Sequence, residues 1–197
     1  MTILSLHYLP CIQWFQILLS GEDIVIDVHE HFVKQTYRNR ATILSANGKL
    51  ALTIPVKKAP NHTPNIDVKI ENDFNWQHQH WQTIVSAYNS APYFLYYQDY
   101  FKPLYGQEFT SLVEWNKALL SVCLKIMKLD INLNYSQKYF DGIKVEEDFR
   151  MKISPKVKHE GLSKNYLQVF SEKFPFEPNL SIIDVLFNNG PRWKEFI

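Results

Sequence analysis

Four basic side chains could hold an anion on one face of a predicted β-hairpin. The dipeptide Asn47-Gly48 is the preferred two-residue turn of such hairpins, and this turn places Arg38 opposite Lys57. Because strand side chains alternate between faces, Arg38 and Arg40 share one face, which Lys34 joins if the strand extends that far. Like charges directly opposite each other destabilise a sheet. We therefore expect either a phosphate or carboxylate held by forked arginine hydrogen bonds, or a solvated basic face that nearby carboxylates neutralise.

The other face of the same strand carries an aromatic ring and an amide among apolar residues. Its members are Tyr37, Asn39, Ala41 and Ile43. Asn39 beside Tyr37 could orient the polar groups of a ligand. The alternative is a core face that contains one hydrogen-bonded amide.

Two close pairs of histidines could supply an acid or a base. Asp27, His29 and His31 share one face if the strand before them continues, and they could bind a metal or couple an acid to a base. His78 and His80 lie about 200° apart on a predicted helix, so they cannot chelate one metal together. Since no HExxH or Cys-His spacing is present, we predict no metal site. His80 is then either a base in a pocket or a hydrogen-bonded core histidine.

Cysteine and glycine usage narrows the chemistry further. Cys11 follows His7 at a strand-to-helix turn, where a helix N-terminus would favour a thiolate nucleophile, although a small buried thiol is the simpler interpretation. The two cysteines form no CxxC pair, which excludes a disulfide scaffold and a four-cysteine zinc site and fits a reduced, cytoplasmic protein. With 6 glycines there is no phosphate-cradling GxGxxG or GxxxxGK[ST] motif, and we assign no cofactor.

The elements that must position these residues begin with a βαβ unit. Apolar runs predict a strand at Thr2–Leu6, a helix at Ile12–Leu19 and a strand at Asp23–Val28, which favours a parallel pair. The hairpin strands follow at 36–46 and 49–56.

The second half is predicted to be mainly helical. Helices are expected at Trp76–Tyr88 and Tyr93–Tyr100. Two further helices are expected to begin at the capping boxes Ser111-x-x-Glu114 and Ser181-x-x-Asp184. The charged segment 141–165 is expected to be irregular. The fold class is therefore α/β. We expect an N-terminal βαβ unit plus a β-hairpin in a mixed sheet, followed by a mainly helical C-terminal half, in one domain over 1–197.

Composition and charge exclude several classes of protein. Hydrophobic residues make up 46% of the chain and charged residues 21%, as in globular domains. The net charge is +1 without a basic stripe, so we expect no nucleic-acid partner. No apolar stretch reaches the roughly 18 residues that a membrane span needs. The N-terminus reads as strand, turn and helix, and we do not expect it to be a signal peptide.

Five segments together resemble the WbqC-like protein family, in the form of its Bacteroidetes-type branch. They are YLPCIQWF, HEHFVKQTYRNRATI, NGKLALTIPV, NWQHQHWQTIVSAYNSAPYF and PNLSIIDVLFNNGP. The similarity covers nearly the whole chain except near 60–70 and 135–165. The family is named for members found in bacterial O-antigen and surface-polysaccharide gene clusters. The resemblance thus implies a role in lipopolysaccharide biosynthesis and leaves the reaction open.

The resemblance also selects residues for a site. As general acid or base it implies His80 or His29, and as groups that bind a substrate or anion it implies Gln13, Lys34, Gln35, Tyr37, Arg38, Asn39, Arg40, His78 and Tyr88. The chain departs from the family pattern at Cys11 and His7, which weakens the thiolate hypothesis. The leading hypothesis is a group transferase acting on an anionic, nucleotide- or phosphate-linked amino sugar. The alternative is a non-catalytic scaffold that binds a polysaccharide-assembly enzyme through the aromatic segment 93–101.

Overall fold

The structure is a computed structural model that describes residues 1–21, 23–140, 147–157 and 163–197. The predicted βαβ unit is present, with β1 at Thr2–Ser5, α1 at Ile12–Ser20 and β2 at Ile24–Asp27. The two strands pair in parallel, from Thr2 opposite Ile24 to Ser5 opposite Asp27. A parallel pair needs a crossover between its strands, and α1 provides it.

Later residues add one strand on each side of this pair. Within the described residues the later strands are β5 at Asn134–Tyr135, next to β2, and β6 at Glu147–Asp148, next to β1. The order is β5-β2-β1-β6, and all three pairings are parallel. Of the segment expected to be irregular, 141–146 and 158–162 lie outside the described residues, and Glu147–Asp148 is a strand.

The hairpin is confirmed, but its predicted register is wrong. β3 at Arg40–Ser45 pairs with β4 at Gly48–Thr53, and Ser45 lies opposite Gly48. Ala46 and Asn47 therefore form the loop. Of Asn47 and Gly48, only Gly48 has a positive φ, of 98°, whereas a type I′ turn needs a positive φ at both central positions. The hairpin forms a two-stranded sheet of its own beside the parallel sheet.

The shifted register removes the predicted pairing of basic side chains. Arg40 lies opposite Thr53, and Arg38 precedes the strand. The amide of Lys57 donates instead to the carbonyl of Lys69 at 2.9 Å. Arg38 and Lys57 are consequently not cross-strand neighbours.

Among the described residues four α-helices follow the hairpin, and the mainly helical second half is confirmed. They are α2 at Trp76–Tyr88, α3 at Phe94–Tyr105, α4 at Leu112–Met127 and α5 at Ile182–Asn189. Short 3-10 helices occupy Asn65–Asp67 and Gly190–Glu195. The side chain of Ser111 accepts a hydrogen bond from the amide of Glu114 at 3.3 Å, as a capping box requires.

The second expected capping box is wrong. The hydroxyl of Ser181 donates to the carbonyl of Leu9 at 2.9 Å and does not cap α5. The carboxylate of Asp184 is buried and accepts hydrogen bonds from Tyr88, Tyr166 and Gln168. The spacing Ser-x-x-Asp places both residues at the start of α5, but their side chains bind to other parts of the fold.

The aromatic residues build much of the core of the helical half. The ring of Trp115 on α4 contacts Tyr8, Trp76, Tyr105 and Phe109, with ring centroids 5.1 to 6.5 Å apart. Such tilted and edge-to-face contacts stabilise beyond the area they bury. Within the described ranges, no helix combines the length and the apolar character that a bilayer crossing requires.

Candidate functional site

The carboxyl ends of the four parallel strands gather polar side chains at one edge of the sheet. Ser5 ends β1, Asp27 ends β2, Ser136 follows β5 and Arg150 follows β6. In open sheets of parallel strands, ligands bind in the crevice outside this edge, where the strand order reverses. β2 and then β5 lie on one side of β1 and β6 lies on the other, so the strand order reverses between β1 and β6.

The carboxylate of Asp27 accepts hydrogen bonds from several groups at this edge. Its side chain is fully buried, and Oδ2 accepts a hydrogen bond from Nη1 of Arg150 at 2.8 Å. Oδ1 accepts from the amides of His29 and Glu30 at 2.9 and 3.1 Å, and from Oγ of Ser136 at 2.8 Å. These donors compensate a buried negative charge, because charge-assisted hydrogen bonds are the strong ones.

A proton relay connects this carboxylate to His29. The hydroxyl of Ser136 has one proton, which it donates to Asp27, and its oxygen accepts from the amide of Val28 at 3.0 Å. Nδ1 of His29 lies 3.1 Å from the same oxygen. Nδ1 must therefore carry a proton and donate it, since the hydroxyl proton is already committed. In the neutral ring this leaves Nε2 as the acceptor nitrogen, and it has no hydrogen-bond partner among the described residues.

Arg150 connects the edge to its neighbours. Nε and Nη2 hold the carboxylate of Asp148 at 2.7 to 3.1 Å, in a forked arrangement. The hydrogen bonds that Arg150 donates to the carboxylate of Asp148 raise the pKa of Arg150 more than any other contact. Its guanidinium carbon also lies 5.8 Å from the ring centroid of Tyr139. Arg150 thereby fixes the position of Asp27 while it neutralises its charge.

Arg38 forms a buried ion pair, which the sequence did not predict. Its side chain is 2% exposed, and Nε donates to Glu30 at 2.9 Å while Nη2 donates to the second oxygen of that carboxylate. The remaining donors reach Thr36, Ser5 and the carbonyl of Arg150 at 3.0 to 3.2 Å. Burial raises the pKa of Glu30, and the guanidinium beside it limits that rise. The guanidinium is fully used within the fold, and Arg38 does not share an open face with Arg40.

An open pocket of about 470 Å³ lies beside Tyr37. Its wall includes Thr42 of the hairpin and Asn179, whose side chain caps the start of α1 by accepting from the amide of Gln13 at 2.9 Å. Three charged residues line it: Lys49, Lys156 and Glu177. Nζ of Lys49 lies 2.9 Å from Glu177, which leaves the charge of Lys156 unpaired among the described residues. The pocket is thus polar with an excess positive charge. The segments that follow β2 and β6 both contribute to it, so it belongs to the carboxyl side of the sheet.

His80 lies in the core of the helical half, on α2. Its ring is 8% exposed, and Nδ1 lies 3.0 Å from the hydroxyl of Tyr8. The ring stacks on Tyr8 and meets the edge of Trp76, with centroids 5.8 and 5.1 Å away. Burial lowers the pKa of His80 to about 4. These contacts favour the hydrogen-bonded core histidine over a base that meets a substrate.

The other residues selected from the sequence lie in several environments. Lys34 and Gln35 are exposed in the segment after β2, His78 is exposed on α2, Gln13 is half-buried on α1, and Arg40 is half-buried on β3. The amide of Asn39 is buried and donates to the carbonyl of Ile54 at 3.0 Å. Tyr88 is buried and donates to Asp184 at 2.9 Å. His29, Lys34 and Gln35 therefore lie in the segment after β2, whereas Tyr37, Asn39, His80 and Tyr88 are buried.

The structure also bears on the thiolate hypothesis for Cys11 and His7 and on the shared strand face of His29 and His31. Burial raises the pKa of Cys11 to about 12, so a thiolate nucleophile is disfavoured. Burial also lowers the pKa of His7 well below its ordinary value. The strand ends at Asp27, so His29 and His31 do not continue its face. His29 contacts Ser136, and His31 contacts His62.

Sequence reasoning missed Ser136 and Arg150. Neither residue belongs to a motif, and the strands before them are only two residues long. Their roles depend on the pairing of β5 with β2 and of β6 with β1, across more than 100 residues. A polar residue directly after a short alternating run, such as Leu133–Tyr135 before Ser136, was the available signal.

Comparison with known proteins gives a family and one relative. The model of the WbqC-like protein family matches residues 6–167. The chain is 23% identical to "Uncharacterized protein Rv1507c" of Mycobacterium tuberculosis (strain ATCC 25618 / H37Rv), over 99% of this chain and 96% of that protein. No solved structure matches. The matched region contains α1, β2, the hairpin and the sheet-edge residues Asp27, Ser136 and Arg150, and it begins directly after β1. The chain therefore belongs to the WbqC-like protein family.

Proposed function

We propose that the protein binds an anionic, nucleotide- or phosphate-linked sugar at the carboxyl edge of its parallel sheet and transfers a group to it. His29 is the general base, and the setting is the synthesis of surface polysaccharide in the bacterial cytoplasm. Membership of the WbqC-like family supports that setting, because the family is named for members in O-antigen gene clusters.

The observation that carries the proposal is the relay from Asp27 through Ser136 to His29. A carboxylate that orients an imidazole through hydrogen bonds is the arrangement by which enzymes fix the tautomer of a catalytic histidine. Here the hydroxyl of Ser136 stands between the two groups, with separations of 2.8 and 3.1 Å. The relay fixes the tautomer in which Nε2 can accept a proton.

The transfer step follows from this tautomer. Nε2 of His29 accepts the proton of a hydroxyl or amine on the sugar as that oxygen or nitrogen attacks the electrophilic centre of an activated ester donor. A new bond forms from the sugar to the transferred group, and the bond from that group to the donor's leaving group breaks. The leaving group departs with the electron pair and takes the proton from His29. Asp27 stabilises the intermediate imidazolium through Ser136.

The charge of the pocket supports an anionic substrate. Lys49 and Glu177 neutralise each other, and Lys156 adds a positive charge beside the phenol of Tyr37. An aromatic ring with a hydroxyl group suits a sugar or a base, which presents both apolar faces and polar edges. Exposed Lys34 in the same segment as His29 supplies a second cation at the edge. The fully paired Arg38 is not needed for this role.

Binding and turnover test different parts of the proposal. Thermal shift and calorimetry would compare nucleotide sugars, sugar phosphates and free phosphate, since a ligand of the native state raises the unfolding midpoint. We expect a nucleotide sugar or sugar phosphate to bind, and Lys156→Ala or Tyr37→Phe to weaken binding several-fold. Mass spectrometry of mixtures with activated ester donors would then detect transfer. The His29→Gln and Ser136→Ala variants should bind the sugar, but their transfer rates should be about 10²–10⁴-fold lower than that of the wild type.

Matched variants guard against general effects. Lys58→Ala removes an exposed lysine outside the pocket, and Ser171→Ala removes an exposed serine. Both should behave as the wild type. Absence of any stabilisation by phosphate-linked sugars would overturn the choice of substrate class. Transfer that continues unchanged in His29→Gln would overturn the assignment of the base.

The alternative function, a scaffold for an assembly enzyme, is favoured by one observation on α3. Leu95 and Tyr96 are 63% and 72% exposed, and Tyr100 is 42% exposed on the same helix. Phe94 and Phe101 are buried, so this exposed patch is smaller than the sequence indicated. Light scattering tests the patch, because a contact surface of this kind promotes self-association that Tyr96→Lys should abolish.

A further inference from the structure

The imidazoles of His31 and His62 meet at the surface near the sheet edge. Their Nδ1 atoms lie 3.3 Å apart, and the ring planes are inclined at 76°. The two residues come from different segments, 31 positions apart. We propose that His31 and His62 bind a divalent transition metal, such as Zn²⁺, through these two Nδ1 atoms. This inference is independent of the proposed transfer reaction.

The separation of the two nitrogens matches metal coordination. Zinc binds imidazole nitrogen at about 2.0–2.1 Å with tetrahedral geometry, which places two nitrogen ligands about 3.3–3.4 Å apart. The two nitrogens also lie within hydrogen-bond reach, so a bound metal would take the place of the proton that the two rings share in its absence. The observed 3.3 Å is the separation expected for two ligands of one ion.

The fold holds both rings in place. His62 has a φ of 64°, a left-handed conformation that is unfavourable for a residue with a side chain. The next residue fixes this turn, because the carbonyl of Thr63 accepts from the amide of Phe32 at 2.9 Å. The ring of Tyr139 stacks on His31 at 4.7 Å, with planes inclined by 15°. A pair of ligands that is ordered before the metal arrives loses less entropy on binding.

Two imidazoles leave other coordination positions open. Within the described ranges, no cluster of three or more His, Cys, Asp or Glu side chains could hold a metal. The remaining positions would therefore be filled by water or by oxygen atoms of a bound molecule. Imidazole nitrogen suits Zn²⁺, Ni²⁺ and Cu²⁺ better than Mg²⁺ or Ca²⁺, which prefer oxygen ligands.

Calorimetry on the untagged, chelator-treated protein tests the site with ZnCl₂ alone. We expect one Zn²⁺ per chain, and at least a tenfold loss of affinity in His31→Ala and in His62→Ala. His78→Ala is the matched control, because it removes an exposed histidine on α2. Its affinity should equal that of the wild type. Mg²⁺ in place of Zn²⁺ should give no binding heat.

A second measurement uses the unaltered protein, so it does not depend on whether the variants fold. Nitrogen-15 NMR of the imidazoles should show Zn²⁺-dependent shifts at Nδ1 of His31 and His62, with the ring of His78 unchanged. Zn²⁺ binding that persists in both alanine variants, or shifts confined to other histidines, would overturn the proposal. So would the absence of binding at millimolar Zn²⁺.

Discussion

Nδ1 of His29 lies 3.1 Å from Oγ of Ser136, although 107 positions separate the two residues in the chain. β5 must pair with β2 for this contact to form, because Ser136 directly follows β5 and its amide donates to the carbonyl of Ile26 at 3.0 Å. The orientation of the imidazole therefore depends on the assembly of the sheet edge. It does not follow from residues next to His29 in the sequence.

Replacing Ser136 by alanine should both destabilise the fold and release His29. The hydroxyl is buried, and its loss leaves Asp27 with one donor fewer and the amide of Val28 without this acceptor. We expect the free energy of unfolding in urea to fall by about 1–3 kcal/mol. Ser171→Ala, at an exposed position, should stay within about 0.5 kcal/mol of the wild type.

The tautomer of His29 provides a readout that a loss of stability alone would not change. In the wild type, nitrogen-15 NMR should show the proton of the neutral ring on Nδ1. Ser136→Ala should increase the share of the tautomer protonated at Nε2, which is the more common form in unrestrained rings. An unchanged tautomer in the folded variant would argue against the relay.

Breaking the buried ion pair should cost more than any single change at the surface. Arg38→Met leaves the carboxylate of Glu30 buried without its counter-charge, with neutral side-chain donors such as Asn65, 3.2 Å away, and Ser5. We expect a loss of about 3–5 kcal/mol in the free energy of unfolding, measured by chemical denaturation. Arg192→Met removes a partner of the exposed pair with Glu195 and should have no measurable effect.

A double variant separates the charge from the contact. Arg38→Met combined with Glu30→Gln removes both charges, so it should be less destabilised than the sum of the two single variants. Additive losses would show that the two side chains contribute independently of their pairing.

Local periodicity was enough to predict the elements but not their long-range partners. The helix Trp76–Tyr88 and the βαβ unit follow from the spacing of apolar residues, and the structure has them within one or two residues of the expected bounds. The hairpin turn was less certain, because the loop could consist of Asn47 and Gly48, as predicted, or of Ala46 and Asn47, as observed. The structure places only the glycine in the left-handed region, and this shifts the register.

The candidate site shows the same limit. The spacing of Arg38 and Arg40 predicts that both side chains lie on one face of a strand. In the structure Arg38 lies before the strand and binds Glu30. The side chain of Glu30 is directed inward by a bend in the chain, which forms because the amides of His29 and Glu30 donate to Asp27. No sequence pattern predicts this bend. His29, which the sequence predicts as a site residue, lies at this edge. Its partner Ser136, and Arg150 on Asp27, follow strands of two residues that carry little periodic signal.

The buried His80 should make stability depend on pH. Burial lowers its pKa in the folded protein to about 4, whereas an unfolded histidine has its ordinary value near 6.5. Between these values the unfolded chain binds a proton that the folded protein excludes, so stability is full above about pH 6.5. It falls as the pH drops toward 4, by an amount on the order of 3 kcal/mol at most.

The pH dependence of His80→Phe isolates this contribution. Buried Asp184 and Glu30 have raised pKa values and act in the opposite direction, but they are common to both proteins. The difference in unfolding free energy between wild type and variant should therefore change by a few kcal/mol between pH 7 and pH 4.5, in favour of the variant at low pH. Parallel pH profiles would contradict the assignment.

Gly190 ends α5 in a conformation and a space that only glycine fits. Its φ is 53°, and a Cβ atom there would lie 2.4 Å from the ring of Tyr93. That ring cannot withdraw freely, because the amide of Tyr93 donates to the carbonyl of Phe187 at 2.9 Å and its ring stacks on Tyr97. Gly190→Ala should thus lower the free energy of unfolding by about 1–3 kcal/mol, through the clash and the left-handed backbone together.

Gly106 at the end of α3 is the matched control for this prediction. Its φ is −94°, and an added Cβ would meet nothing closer than the carbonyl of Pro103 at 3.5 Å. Alanine at this position restricts the unfolded chain without straining the native one, so Gly106→Ala should stabilise by about 0.4–1 kcal/mol. Urea denaturation of the two variants should therefore give changes of opposite sign. If both destabilise equally, the cost at Gly190 reflects a general intolerance of alanine at helix ends and not its contact with Tyr93.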